Sequence, residues 1–125
     1  MSSYVINCKI HKSRIEKFRK FAKEAKMSFC REDCVNGKAF TDDILCEMVK
    51  RGIVSKKSEM TPIEVAISLS HLNVLQRFVN SCDDYAIVFE DDVEVRKNFV
   101  NSVNKIMAKL EDTPFDMLFY GTVIG

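Results

Sequence analysis

The chain has 125 residues, of which 46% are hydrophobic and 30% are charged, which is the composition of an ordinary globular domain. This length predicts a single domain over residues 1–125 with a core of its own. The formal net charge of +1 excludes a general bias toward nucleic acid, and no apolar run is long enough to cross a bilayer. We therefore expect neither a nucleic-acid partner nor a transmembrane segment.

The chain contains five cysteines, an odd number that leaves at least one of them unpaired. The first residues, MSSY, lack the basic and apolar regions of a signal peptide, so we expect a cytoplasmic protein with free thiols. Cys30 and Cys34 have a spacing found in some zinc sites. Because no second close pair of Cys or His completes four ligands, free thiols are favoured over zinc there.

The first predicted strand covers residues 4–8 (YVINC). Neither GxGxxG nor GxxxxGK[ST] occurs in the chain, which disfavours Rossmann dinucleotide sites and P-loops. Ser13 and Glu16 form a capping box that predicts a helix to about Lys26. Most basic residues of this helix fit a solvated face, whereas Arg14 lies in the first turn, near the carboxyl edge of the sheet and a bound nucleotide. The buried stripe is predicted at Ile15, Phe18, Ala22 and Ala25.

Between the first and second long helices, the sequence predicts a strand, a turn and a short helix. Residues 27–30 predict a second strand, and the segment that follows has turn chemistry at Asn36-Gly37. A cap at Thr41 or Asp42 predicts a short helix after the turn.

The clearest helix start is TPIE at residues 61–64, with a capping Thr, a Pro at the first helical position and a capping-box Glu. The helix should continue to about Asn80. It is apolar over most of its circumference, which predicts burial on most sides. Its polar stripe contains Glu64, Ser68 and His71, which indicates either a buried polar network or part of a site. For His71 alone, a hydrogen-bonded core histidine is the default interpretation.

An apolar run ends abruptly at three acids in residues 85–93 (YAIVFEDDV), and it predicts a buried strand of a parallel sheet. Ligands of open α/β sheets bind beyond the carboxyl ends of strands, where Glu90, Asp91 and Asp92 fall. Alternation places Glu90 and Asp92 on one side and Asp91 on the other. A hard divalent cation would relieve the repulsion among these carboxylates and could grip a diphosphate. A solvated acidic turn fits the run equally well.

The last part of the chain predicts a helix from Lys97 or Asn98 to about Leu110 and a final strand at residues 115–120 (FDMLFY). The order of elements predicts an α/β fold, with a mixed sheet and helices on both of its faces.

Four stretches in sequence order together resemble glycosyltransferase family 25, the family of lipooligosaccharide and procollagen galactosyltransferases. These stretches are VINCKIHKSR, TPIEVAISLSH, IVFEDDVEV and FDMLFYG, and they cover most of the chain. The acidic cluster is weakly specific alone, but together with the upstream Ser70-His71 pair it is a good signal.

The resemblance implies a GT-A-like fold and transfer of a hexose, galactose or glucose, from a UDP-sugar to a hydroxyl of a glycan or protein, as in lipopolysaccharide biosynthesis. It implies a divalent metal, with manganese expected, held by Asp92 and Glu90. The donor and nucleotide residues that it implies are Arg14, Glu64, His71, Glu90 and Asp91.

Family members continue beyond the strand that residues 115–120 resemble, and that later part builds most of the acceptor side. We therefore expect a fold that is incomplete at the C-terminus, and no catalytic base can be named. A second polypeptide that completes the domain, and a relic that binds the donor without transferring sugar, stay open as alternatives. A receiver-type signalling domain is disfavoured because its acids come early, at the first strand.

Overall fold

The computed structural model describes residues 1–121, which contain three strands and four α-helices. In chain order they are β1 (Ser2–Asn7), α1 (Lys12–Glu24), β2 (Cys30–Asp33), α2 (Asp42–Lys50), α3 (Pro62–Val79), β3 (Ala86–Glu90) and α4 (Phe99–Lys109), with a single 3₁₀ turn (Gly37–Ala39) after β2.

The three strands form one sheet in the order β2-β1-β3, and both strand pairs are parallel. The predicted α/β class is confirmed, whereas the prediction of a mixed sheet is wrong for residues 1–121. Because the strands are parallel, their carboxyl ends meet at one edge of the sheet. The segments that follow each strand therefore come together there.

Helices cover both faces of the sheet, as predicted, because side chains of β1 alternate between them. Val5 packs with Phe18 of α1 on one face. Tyr4 and Ile6 pack with Val74 of α3 on the other. Because side chains alternate along a strand, the central strand β1 contributes to two small hydrophobic cores, one on each face of the sheet.

Helix α1 begins at Lys12, and no side chain caps it, so the predicted Ser13–Glu16 capping box is wrong. The backbone N–H of His11 donates to the Cys8 carbonyl at 2.8 Å, and this turn leads directly into the helix. Ser13 consequently lies inside the first turn rather than ahead of it.

The end of α1 displaces the start of β2 from its predicted position. Lys26 adopts a φ of 53°, and the N–H of Met27 donates to the Ala22 carbonyl at 2.9 Å. This is a Schellman motif with a lysine at the position that glycine usually fills. Residues 27–29 are therefore used to leave the helix, and the strand begins at Cys30.

Helix α3 begins as predicted, because Thr61 Oγ1 accepts a hydrogen bond from the Glu64 N–H at 3.2 Å. The prediction that it is buried on most sides is wrong. Its buried stripe is narrow, and the side chains of Leu72 and Val79 are 57% and 73% exposed. The sheet offers the helix only one face, so the remaining apolar residues stay in solvent within the described part of the chain. The buried residues of the stripe are Val65, Ala66, Ser70 and Val74.

The prediction that all five cysteines are free is wrong, because Cys8 and Cys34 form a disulfide. Asn7 pairs with Asp33 across β1 and β2, so the residues that follow them lie side by side, with Cα atoms 4.9 Å apart. Closing a loop of this length should stabilise the fold by about 3.5 kcal/mol. The free cysteines are Cys30, Cys46 and Cys82, and all three are exposed.

Helix α4 follows Asn98 as predicted, but residues 115–120 form no strand. Phe115 instead stacks on Tyr85 with ring centroids 5.9 Å apart, and Phe119 is 80% exposed. Residues 115–120 pair with neither edge of the three-stranded sheet, so this apolar run has no strand partner in the described part of the chain. No helix in residues 1–121 has the length and hydropathy to span a membrane.

Candidate functional site

A groove of about 670 Å³ lies at the carboxyl edge of the sheet. Its walls come from residues 8–11 after β1, residues 33–38 at the end of β2, and residues 90–92 at the end of β3. The first half of α3 closes one side. The volume lies in the range of pockets that bind small molecules and cofactors.

Most of the predicted site residues meet in this groove, although they come from separate parts of the sequence. Glu64 lies outside the lining, in the exposed first turn of α3. The five that line the groove are Arg14, His71, Glu90, Asp91 and Asp92.

The end of β3 directs its acids toward different helices. Glu90 faces the side of α3, where His71 Nε2 lies 3.4 Å from Glu90 Oε1. Asp91 faces the side of α1, where Arg14 Nη1 lies 3.5 Å from Asp91 Oδ1. The predicted alternation at these two positions is therefore confirmed. Asp92 follows in the turn, where it is exposed.

Asp91 is held from below by Asn7, a residue that the sequence analysis missed. The side chain of Asp91 is 10% exposed, and its Oδ2 accepts a hydrogen bond of 2.6 Å from Asn7 Nδ2. Asn7 itself is 2% exposed. The only signal in the sequence is a polar residue that interrupts the apolar run YVINC, because a buried amide requires hydrogen-bond partners.

Arg31 of β2 extends this arrangement across the sheet. Its Nε donates to Asn7 Oδ1 at 2.9 Å, and its Nη2 donates to the Asn7 carbonyl at 3.0 Å. Its Nη1 donates to Asp33 Oδ1 at 2.6 Å, and this bond, together with the charges of Arg31 and Lys9, holds the pKa of the Asp33 carboxyl below its ordinary value. The residues that form this Asn7 network are Asp33, Arg31, Asn7, Asp91 and Arg14.

The wall opposite Arg14 is largely apolar and comes from α3, with Ile63 and Ile67 facing the groove. Ser70 is buried at its base. Its hydroxyl donates to the Ala66 carbonyl at 2.8 Å and accepts from the Val35 N–H at 2.8 Å. These two hydrogen bonds fix the segment after β2 against the helix. The wall of the groove therefore has a defined position.

The carboxylates at the groove fit a divalent cation only if phosphate groups of a substrate complete its coordination. Residues 1–121 bring together no group of three or more His, Cys, Asp or Glu side chains able to hold a metal ion. Glu90 and Asp92 are exposed and offer hard oxygen donors, whereas Asp91 is already bonded. Cations such as Mg²⁺ are commonly bound by one or two carboxylates together with the phosphates of a substrate. The residues present fit that mode.

The family model described as "Glycosyltransferase family 25 (LPS biosynthesis protein)" matches residues 1–122. Comparisons with curated proteins and with solved structures gave no significant match.

Proposed function

Because the chain belongs to glycosyltransferase family 25, we propose that it transfers a hexose, galactose or glucose, from a UDP-sugar to a hydroxyl group. One observation carries the proposal for the donor site. Side chains from α1, α3 and the end of β3 converge on one groove at the carboxyl edge of a parallel sheet. Ligands of open α/β folds bind at this edge. The family description favours a glycan over a protein as the acceptor.

The basic side chains that line the groove suit a diphosphate. Arg14, Lys9 and Lys38 line it, and the N-terminus of α1, which has no side-chain cap, lies beside them. Guanidinium groups and the first turn of a helix both favour bound phosphate oxygens. On this proposal the diphosphate lies near α1, and the sugar or ribose lies toward His71 and Glu90.

We propose that Asp92 and Glu90 hold a divalent cation, with Mn²⁺ as the expected ion. When bound, the cation would neutralise charge on the leaving diphosphate as a Lewis acid. The protein's own part is to present two exposed carboxylates on the sheet edge. We leave Asp91 out of that role because its carboxylate already contacts Asn7 and Arg14.

A second candidate is a protein that binds the donor without transferring sugar. Transfer requires a general base near the acceptor hydroxyl. The most buried carboxylate of the groove, Asp91, already accepts a hydrogen bond from Asn7 and faces Arg14. Both oxygens of Asp91 therefore have partners within the chain, which favours the second candidate over a complete enzyme acting through Asp91.

Calorimetric titration with UDP-galactose, UDP-glucose and UDP, each with and without Mn²⁺, tests the donor site. We expect binding that depends on the metal. Asp92→Ala should abolish this metal dependence, because it removes a ligand. The matched control is Asp84→Ala, an exposed acid just before β3, at the opposite end of the strand, which should bind as the unaltered chain does.

Two outcomes would contradict the donor proposal: no binding by a folded chain, or unchanged metal-dependent binding by Asp92→Ala. Transfer is tested separately, by measuring UDP release with and without a lipopolysaccharide acceptor. Release only with acceptor supports the enzyme, and binding without release supports the second candidate.

A further inference from the structure

The hydrogen bonds of Asn7 fix the orientation of its side chain completely. Both amide hydrogens are used, one on the His11 carbonyl at 3.1 Å and one on Asp91 Oδ2 at 2.6 Å. The amide oxygen accepts from Arg31 Nε at 2.9 Å. A flipped amide would set NH₂ against the guanidinium and oxygen against a carbonyl and a carboxylate, so only one orientation is satisfied.

These bonds act on Arg14 from two sides. His11 is the N-cap of α1, so its bond to Asn7 fixes the turn that carries Arg14. Asp91, which accepts the bond from the second amide hydrogen, contacts the Arg14 guanidinium. Asn7, which is buried, therefore forms hydrogen bonds with both supports of Arg14.

Arg14 keeps free donors while it is held. Only Nη1 is directed at Asp91, at 3.5 Å, and the side chain is 49% exposed in the groove. A guanidinium has five N–H donors, which leaves most of them for a second anion. A long side chain that is already oriented gives up less freedom when it binds a ligand, which raises affinity.

We infer that Asn7 is a positioning residue that, through Asp91 and the His11 turn, aims Arg14 at the diphosphate of the donor. The inference deepens the proposed function and rests on it for the nucleotide. It assigns Asp91 to the support of Arg14 rather than to direct contact with the sugar. The diphosphate itself can be tested separately from the nucleoside.

The test uses the full chain and three probes, pyrophosphate, UDP and uridine, titrated at one fixed Mn²⁺ concentration. Asn7→Leu keeps the approximate size of the side chain and removes its hydrogen bonds. We expect the Kd for UDP and pyrophosphate to rise about tenfold or more, with the Kd for uridine unchanged. Asn104→Leu, an exposed asparagine on α4, is the matched control and should change none of the three.

A double-variant cycle separates positioning from general damage to the fold. If Asn7 acts through Arg14, Asn7→Leu should have almost no further effect on UDP binding in an Arg14→Gln background. Effects that multiply would overturn the inference. Should Asn7→Leu fail to fold, Asp91→Asn keeps the shape of the support and should show the same loss and the same dependence on Arg14.

The outcomes distinguish this inference from the proposed function. UDP binding that is equal in Asn7→Leu and Asn104→Leu overturns the inference alone. Binding of pyrophosphate that depends on Asn7 and Arg14, without any binding of UDP or UDP-sugars, overturns the donor proposal and supports the positioning role. Failure of the folded chain to bind any probe overturns both.

Discussion

At the scale of single residues, Gly37 marks a close approach of two segments that line the groove. A Cβ atom at this position would lie 2.8 Å from the Pro62 carbonyl oxygen and 2.9 Å from Ala66 Cβ. Both neighbours belong to α3, whose backbone cannot yield as a flexible side chain can. Glycine therefore lets the turn after β2 rest directly on the helix.

We expect Gly37→Ala to lower the free energy of unfolding by about 1–3 kcal/mol, because the added methyl forces the turn away from α3. Urea denaturation measures the change. Gly121→Ala is the control, since a Cβ there would meet nothing within 4 Å among residues 1–121, and its effect should be near zero. Equal losses in the two variants would show that the close approach at Gly37 does not matter.

Sequence reasoning works at the residue scale where the partner is local. The Asn36-Gly37 turn was predictable from the two residues themselves, and Asn36 does cap it by accepting from the Lys38 N–H. Asn7 was not, because its partners are Arg31 and Asp91, which lie far along the chain. An isolated polar residue in an apolar strand shows that partners exist but not which ones.

Among the elements, α3 gives the sharpest test of packing because it carries both buried and exposed valines. Val74 is fully buried against Tyr4 and Ile6, whereas Val79 is 73% exposed. Val74→Ala should cost about 2 kcal/mol of unfolding free energy through lost burial and a small cavity. Val79→Ala, the same change on the same helix, should cost less than about 0.5 kcal/mol.

Thermal or urea unfolding of the two variants measures this difference. A large cost for Val79→Ala would mean that the outer face of α3 is covered in solution. That result would restore the prediction, made from the apolar circumference of the helix, that it is buried on most sides.

The elements show which signals in a sequence are self-contained. The start of α3 was predictable because Thr61 accepts a bond from the Glu64 N–H within one turn and Pro62 occupies the first helical position. Its burial and the strand expected at residues 115–120 were not, because an apolar pattern indicates a need for cover without showing whether cover exists. The start of β2 was misplaced because the turn that ends α1 holds Lys26, instead of glycine, at its αL position.

For the whole molecule, the groove follows from topology rather than from any one motif. Parallel pairing of β1 with both neighbours brings three strand ends to one edge, and a groove forms above them. The acidic run and its place at this edge were predictable, since a buried strand that ends in acids has few other positions. The disulfide was not, because Cys8 and Cys34 become neighbours only through the register of β1 with β2.

This topology predicts where a bound nucleotide should protect the chain from hydrogen exchange. With UDP and Mn²⁺ at saturation, amides of residues 8–11 and 33–38 should exchange more slowly, because these segments line the groove. Residues 26–28 line a separate, smaller depression that Met1 and Ser3 share. Their exchange should not change, since this depression lies at the amino end of the sheet.

Only amides that exchange through local opening can decide between these edges. A ligand stabilises the whole folded state by mass action, so amides that require global unfolding slow down wherever they lie. We expect the segments at the two edges to exchange through local opening, so that their protection reports direct contact. Equal protection at residues 26–28 and at residues 33–38 would contradict binding of the nucleotide at the carboxyl edge of the sheet. Protection confined to the carboxyl edge would tie the binding to the ends of the three parallel strands.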